Sequence, residues 1–405
     1  MLRYAHAILL SAAALLTLGV LMVPSAGMTL GAAAYVPPAT GDASLAQIGG
    51  ALRHAVLHRH TAFAAAAVAA MLLASRIDAR SMFGFVDPGE LAAPGRRLRR
   101  WTNPLGLVIL LAFGLVGLTF LPGFAREVNG SARWIRLGGF SFQPSELLKW
   151  TAVLTVAWWC ARRRGSMHRF WAGCFPALVF IGVGAGLIVL EDLGTGLLIA
   201  AVCVAMLLAG GARWWHLALT APPALAGVAA AILSEPYRVK RLLAFADPWA
   251  DAAGSGYHPI ASMTAFASGG VFGRGLGNSI QKYHLPEDTT DFVFPILSEE
   301  LGLAGAALTL GLYLTLLWIG LAVVTQSRDA FSRLLGLGIL LTVGLQALIN
   351  LSVVTVLVPT KGIALPLVSA GGTGWIMTAF MLGLVAALDN AHFIRCAERG
   401  EVVKP

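Results

Sequence analysis

The chain has 405 residues, of which 57% are hydrophobic and only 12% charged, with a mean hydropathy of +0.76 and a formal net charge of +9. Several apolar runs reach the roughly 20 residues that a membrane-spanning helix needs. None shows the period-2 alternation of an outer-membrane barrel, so an all-α polytopic membrane protein is expected.

In chain order the apolar runs fall at 5–27, 61–75, 105–122, 147–160, 172–190, 194–210, 216–233, 295–324, 334–358 and 372–389. They predict about ten transmembrane helices in a single integral membrane domain covering 1–405. The first run lacks a persuasive small-residue cleavage site and reads as a retained span. A cytoplasmic N-terminus puts Arg76, Arg80, Arg96, Arg97, Arg99, Arg100, Arg162, Arg163, Arg164 and Arg169 in inside segments. That arrangement satisfies the positive-inside rule and places both termini in the cytoplasm. The stretch 234–294 then becomes a large extracytoplasmic loop between spans seven and eight. Membrane orientation and anionic membrane lipids account for the positive charge, so no nucleic acid partner is implied. Cys160, Cys174, Cys203 and Cys396 show no paired spacing and predict neither disulfide nor zinc site.

Between two apolar runs lies a polar island, Ser268 to Gly302, reading SGGVFGRGLGNSIQKYHLPEDTTDFVFPILSEELG. It holds Arg274, Lys282, His284, Glu287, Asp288, Asp291, Glu299 and Glu300. Asp291 follows the Pro286-Glu287 turn signal and precedes Phe292-Val293-Phe294, where a loop gives way to a membrane helix. A carboxylate partly desolvated there would be a strengthened base. It would equally serve as an N-cap, since Asp accepts from first-turn amides and suits the helix dipole.

Four further polar segments fall on the same predicted face. They are VNGSARWIRLGGFSFQPSELLK (128–149, with Arg133, Glu146 and Lys149), Glu191-Asp192-Leu193-Gly194-Thr195, YRVKRLLAFADPWADAAGSGY (237–257, with Arg238, Lys240 and Arg241) and VPTKGIALPLVSAGG (358–372, with Lys361 and Ser369). Arginine offers a fork to phosphate oxygens and lysine a point charge, so this face suits an anion. Snorkelling towards headgroups is the other use of such cations.

These segments, with DLGTG and the run GLGNSIQKYHLPEDTTDF ending in SEELG, resemble in order and spacing the signature segments of the SEDS family of shape, elongation, division and sporulation proteins. The resemblance spans roughly residues 100–390. Gln281-Lys282 and Pro359-Thr360-Lys361-Gly362 are similar to the cell-division type, FtsW, more than to the elongation type, RodA. Three departures stand out: Thr289 where the family usually has His, Leu190-Glu191 before Asp192 where it often has Gln-Pro, and Ala370 within the usual Ser-Tyr-Gly-Gly.

The resemblance implies a peptidoglycan glycosyltransferase that polymerises lipid II, an undecaprenyl-pyrophosphate-linked disaccharide pentapeptide, on the outer face of the cytoplasmic membrane, in this case for septal wall at the division site. It places the essential aspartate on Asp291 as general base. Arg238, Arg241, Lys282 and Lys361 become candidates for holding pyrophosphate, where charge develops. Lys149 and Glu146 would shape the cleft floor as an ion pair, and Arg133, Glu287 and Ser369 complete the expected substrate contacts. No cofactor is certain; a divalent cation, Mg2+ or Mn2+, would assist the leaving group, yet no ligand set is visible. The implied partners are a class B penicillin-binding protein, an FtsI-like transpeptidase whose single span would suit a face such as Gly336-Leu337-Gly338 or Gly311, and other divisome proteins. A lipid II flippase would need ionisable residues at mid-span, which these runs almost lack. A non-enzymatic scaffold recruiting a transpeptidase would need none of the acidic and basic set.

Overall fold

A backbone in hydrocarbon must satisfy its own hydrogen bonds, and each apolar run does so by forming a helix. The computed structural model describes residues 3–27, 59–82, 104–121, 124–128, 131–137, 140–283, 285, 290–327 and 329–398. Its helices are α1 Tyr4–Gly27, α2 Arg59–Ala74, α3 Ala79–Met82, α4 Pro104–Thr119, α5 Pro144–Arg162, α6 Phe175–Glu191, α7 Leu193–Ala209, α8 Trp214–Leu233, α9 Pro236–Ala246, α10 Tyr257–Gly269, α11 Val293–Gln326, α12 Ala330–Val354 and α13 Thr373–Glu398. The protein is a polytopic helical membrane protein. Among the described residues six helices are long and apolar enough to cross a membrane, and three shorter apolar ones accompany them, at 60–74, 104–119 and 193–209.

The bundle is organised around α12, which packs on α5, α7, α11 and α13, while α1 lies between α11 and α13. Lipid gives apolar helices no solvent-driven reason to associate, so their contact depends on close packing. Gly383 of α13 shows this: a Cβ there would come within 2.3 Å of the Met71 carbonyl on α2. Gly336 and Gly338 are likewise occupied from within the chain, by Val324 and by Met206 with Val153, whereas Gly311 faces open space. Of the two faces expected to receive a partner's span, only Gly311 is therefore open. At the other extreme, α8 has no buried residue.

Two features were not expected. Residues 125–142 form an antiparallel sheet, β1 Ala125–Val128, β2 Ser131–Leu137 and β3 Phe140–Phe142, with Ile135 opposite Phe142. The sheet delivers the chain to Gln143 and Pro144 at the start of α5, where proline suits the first helical turn. The stretch 234–294, expected as loop, contains α9, α10 and two short 3-10 turns. Pro236 opens α9, and Asp247 ends it while its side chain accepts from Trp249 N.

A break in α11 anchors the polar segment that follows α10. Gly302 has φ 68° and ψ −166° inside the helix, a region open essentially to glycine alone. The chain after α10 lies along the break. Arg274 N donates to Glu299 O at 3.0 Å and Gly275 N to Glu300 O at 2.9 Å, while Leu303 N donates to Gly270 O at 3.0 Å and Ala304 N to Val271 O at 3.2 Å. Backbone groups freed by the break are thus satisfied by another backbone segment, as an apolar surrounding requires.

Candidate active site

A cavity of about 700 Å³ opens among the sheet, α5, α7, α9, α12 and the segment joining α12 to α13. Its lining includes Trp134, Glu146, Lys149, Asp192, Glu235, Tyr237, Arg241, His258, Asp291, Gln346, Lys361, Gly362, Ser369 and Trp375. Asp291, Arg241, Lys361, Lys149, Glu146 and Ser369, expected from the sequence as site residues, are thus brought to one space.

Asp291 stands just before α11. The assigned N-cap position falls on Phe292, which makes no side-chain cap bond. Its carboxylate lies against Gly362, where an added Cβ would be 3.0 Å from Oδ2. Phe292 stacks on His258 with ring centroids 5.4 Å apart and planes at 16°. Asn350, on α12, donates from Nδ2 to Asp291 O at 2.9 Å and to Ile363 O at 2.7 Å.

On the cavity floor Lys149 Nζ donates to Glu146 Oε1 at 2.8 Å and to Gln346 Oε1 at 2.9 Å. Its side chain is 2% exposed, and these two partners supply the hydrogen bonds that burial takes from water. Gln346 Nε2 donates in turn to Ala364 O at 2.9 Å. Asp192 caps α7, accepting from Thr195 N at 3.1 Å and Thr195 Oγ1 at 2.9 Å. Burial holds Lys361 below the ordinary lysine range, and the nearby Asp192 charge pulls it partly back. Ser369 Oγ accepts from Leu365 N at 2.8 Å and Ser369 O accepts from Trp375 Nε1 at 2.6 Å, which fixes the turn bordering the cavity.

The remaining expected residues lie elsewhere. Lys282 is buried away from the cavity, with Nζ donating to Gly277 O at 2.8 Å and Ser25 O at 3.3 Å, so it ties the loop to the end of α1. Arg238 is not in the lining; its guanidinium donates to Ala231 O at 2.7 Å on α8 and to Leu190 O at 3.1 Å on α6. Arg133 belongs to β2, but its side chain is outside the described residues, as is the whole of Glu287. Thr289 is outside them too. Glu299 and Glu300 of the island hold the loop. Glu299 accepts from Ser279 Oγ at 2.5 Å, Ile280 N at 3.1 Å and Gln281 N at 3.2 Å, and Glu300 accepts from Ser25 Oγ at 2.7 Å.

Gln346, Asn350, Tyr237 and His258 were not singled out from the sequence. The first two left a signal, since an amide inside an apolar run has to find partners there. Tyr237 and His258 carried none beyond being in a polar segment.

The sequence profile of the FtsW/RodA/SpoVE family, described as "Cell cycle protein", matches residues 90–392. The chain belongs to this family. Among its relatives, a "Probable peptidoglycan glycosyltransferase FtsW" of Nitrosococcus halophilus is 40% identical over 309 residues, covering 75% of this chain and 80% of that one. "Stage V sporulation protein E" of Bacillus subtilis is 37% identical over 300 residues, covering 73% and 80%. A solved structure described as "Structural coordination of polymerization and crosslinking by a peptidoglycan synthase complex" aligns with TM-score 0.71 at 25% identity over 95% of this chain and 97% of that one. The rod shape determining protein RodA of Thermus thermophilus shares the fold, with TM-score 0.60 at 23% identity over 95% and 96%. The FtsW-named relatives agree with the division-type resemblance seen in the sequence.

Proposed function

We propose that this FtsW/RodA/SpoVE family member is a peptidoglycan glycosyltransferase that polymerises lipid II for the septal wall, with Asp291 as its general base. The observation that carries the reading is the position of Asp291 on the wall of a cavity that also holds Lys149, Arg241 and Lys361. A carboxylate that shares a space of this size with cations suits a sugar hydroxyl and a pyrophosphate held together. The names of the FtsW relatives point the same way.

Asp291 takes the proton from the acceptor hydroxyl as that oxygen attacks the anomeric carbon of the lipid-linked donor. The bond from that carbon to the pyrophosphate oxygen breaks, and the departing charge is met by Lys361 and Arg241. Lys149, neutralised by Glu146, holds the floor in one shape. Among the described residues no three His, Cys, Asp or Glu side chains converge. The steps above draw on the chain's own charges.

The substrate's lipid tail requires a membrane, and we assign the cavity to its extracytoplasmic side, with both termini in the cytoplasm. The partner is a class B penicillin-binding protein of the FtsI-like kind at the division site; the structural neighbour described as a peptidoglycan synthase complex supports it.

The test is polymerisation of lipid II by the purified chain with its cognate transpeptidase. Asp291→Asn, shown to fold and to bind the partner, should yield no glycan. Wild-type polymerisation by the Asn variant would refute the base assignment.

A further inference from the structure

Gln346 and Asn350 lie four residues apart, hence on one face of α12. The run around them is otherwise apolar, and both side chains turn their amides onto the segment that follows α12. Gln346 binds Ala364 O and receives Lys149 Nζ; Asn350 binds Ile363 O and Asp291 O. Because both Asn350 donor contacts end on carbonyl oxygens, the amide can be oriented only one way. Its Oδ1 is buried without a hydrogen-bond partner. A leucine would fill the place without that desolvation cost, so the amide's two donors are what this position needs.

We propose that Asn350, with Gln346 one turn before it, is a positioning residue that sets the separation between the Asp291 carboxylate and the cations Lys149 and Lys361. The connected path runs from Glu146 and Lys149 through Gln346 to Ala364, then from Ile363 through Asn350 to Asp291. One end is the Lys149–Glu146 pair of the cavity floor and the other the proposed base, and its middle is the backbone beside Gly362 and next to Lys361, against which the Asp291 carboxylate rests. Asp291 and Ile363 come from distant parts of the chain, and a rigid membrane helix clamps both at once. The inference rests on Asp291 being the base.

Three proteins test it, each as the full chain in bilayers with its transpeptidase: wild type, Asn350→Leu and Asp291→Asn. For Asn350→Leu the expectation is a fall in kcat of about 100-fold, the usual effect of misplacing a catalytic group by about 1 Å, with KM for the lipid-linked donor unchanged. Amide hydrogen exchange should quicken at residues 361–365 and 291–293 while the rest of α12 stays protected. A merely structural role would lower the folded fraction and leave kcat per folded molecule alone; that result overturns the proposal. If Asn350→Leu does not fold, Asn350→Ser, which keeps one donor, is judged by the same kcat criterion. Wild-type polymerisation by Asp291→Asn would instead overturn the base assignment itself. An inactive Asp291→Asn beside an unimpaired Asn350→Leu would overturn only the positioning role.

Discussion

A methyl group on Gly362 would stand 3.0 Å from Oδ2 of Asp291. The carboxylate is therefore bordered on one side by bare main chain, and a side chain at residue 362 would compete with it for space. In Gly362→Ala the Asp291 side chain has to give way by a few tenths of an ångström. The expected result is a roughly tenfold lower kcat, since catalytic geometry tolerates little displacement, with little change in thermal stability. Steady-state polymerisation with a melting curve on the same sample decides it; an unchanged kcat would show that Asp291 has room to spare.

The charge of Asp192 should be legible in the pH profile. Burial lowers the Lys361 pKa and Asp192 raises it. In Asp192→Asn the helix cap persists, because Asn caps as well as Asp, but the stabilising charge is lost. The ammonium of Lys361 then gives up its proton at a lower pH. The alkaline limb of the rate profile should move to lower pH while the acid limb stays in place. A profile with an unmoved alkaline limb would mean that Lys361 does not act as a cation in the reaction.

Glu299 predicts a stability effect. It is fully buried and accepts from three donors of the loop segment 279–281. Truncation in Glu299→Ala strands those donors, at about 3 kcal/mol or more, given that hydrogen bonds to charged groups are worth about 1.5–3 kcal/mol each. Thermal unfolding should occur at clearly lower temperature, and limited proteolysis should open the chain between 270 and 283. Equal melting temperatures would contradict the assignment.

Gly302 should tolerate nothing larger. Beyond its backbone angles, a Cβ there would lie 2.3 Å from Gly273 N and 2.5 Å from Val271 O. Strain of about 1–3 kcal/mol from the backbone alone, with main-chain collisions added, should leave Gly302→Ala poorly folded. The yield of monodisperse protein in detergent, against wild type prepared in parallel, is the measurement; a normal yield would show that the break can close.

The helices were legible because the hydrophobic run is a local signal, and each predicted run coincides with a helix. The sheet at 125–142 was not, since its strands are short and lie in a polar segment where period-2 alternation is weak. Asp291, Lys361, Lys149 and Glu146 stand in polar segments between apolar runs that also carry the family resemblance, and their convergence at one cavity follows from the fold. Lys282 was expected among them for the same reason. Its partners Ser25 and Gly277 include a residue 257 positions away, and no local pattern reports such a contact. Asn350 carries no charge to mark it within its apolar run, yet its uncharged amide holds two loops together.

The seam across the broken α11 joins main chain to main chain. Val271, Phe272 and Leu276 beside it are exposed, and no side chain of theirs takes part in the four hydrogen bonds that close it. Such a closure is blind to the spelling of those three positions: Val271, Phe272 and Leu276 can be exchanged for membrane fit or partner preference without unzipping the helix, provided Gly269, Gly270, Gly273, Gly275 and Gly302 are kept.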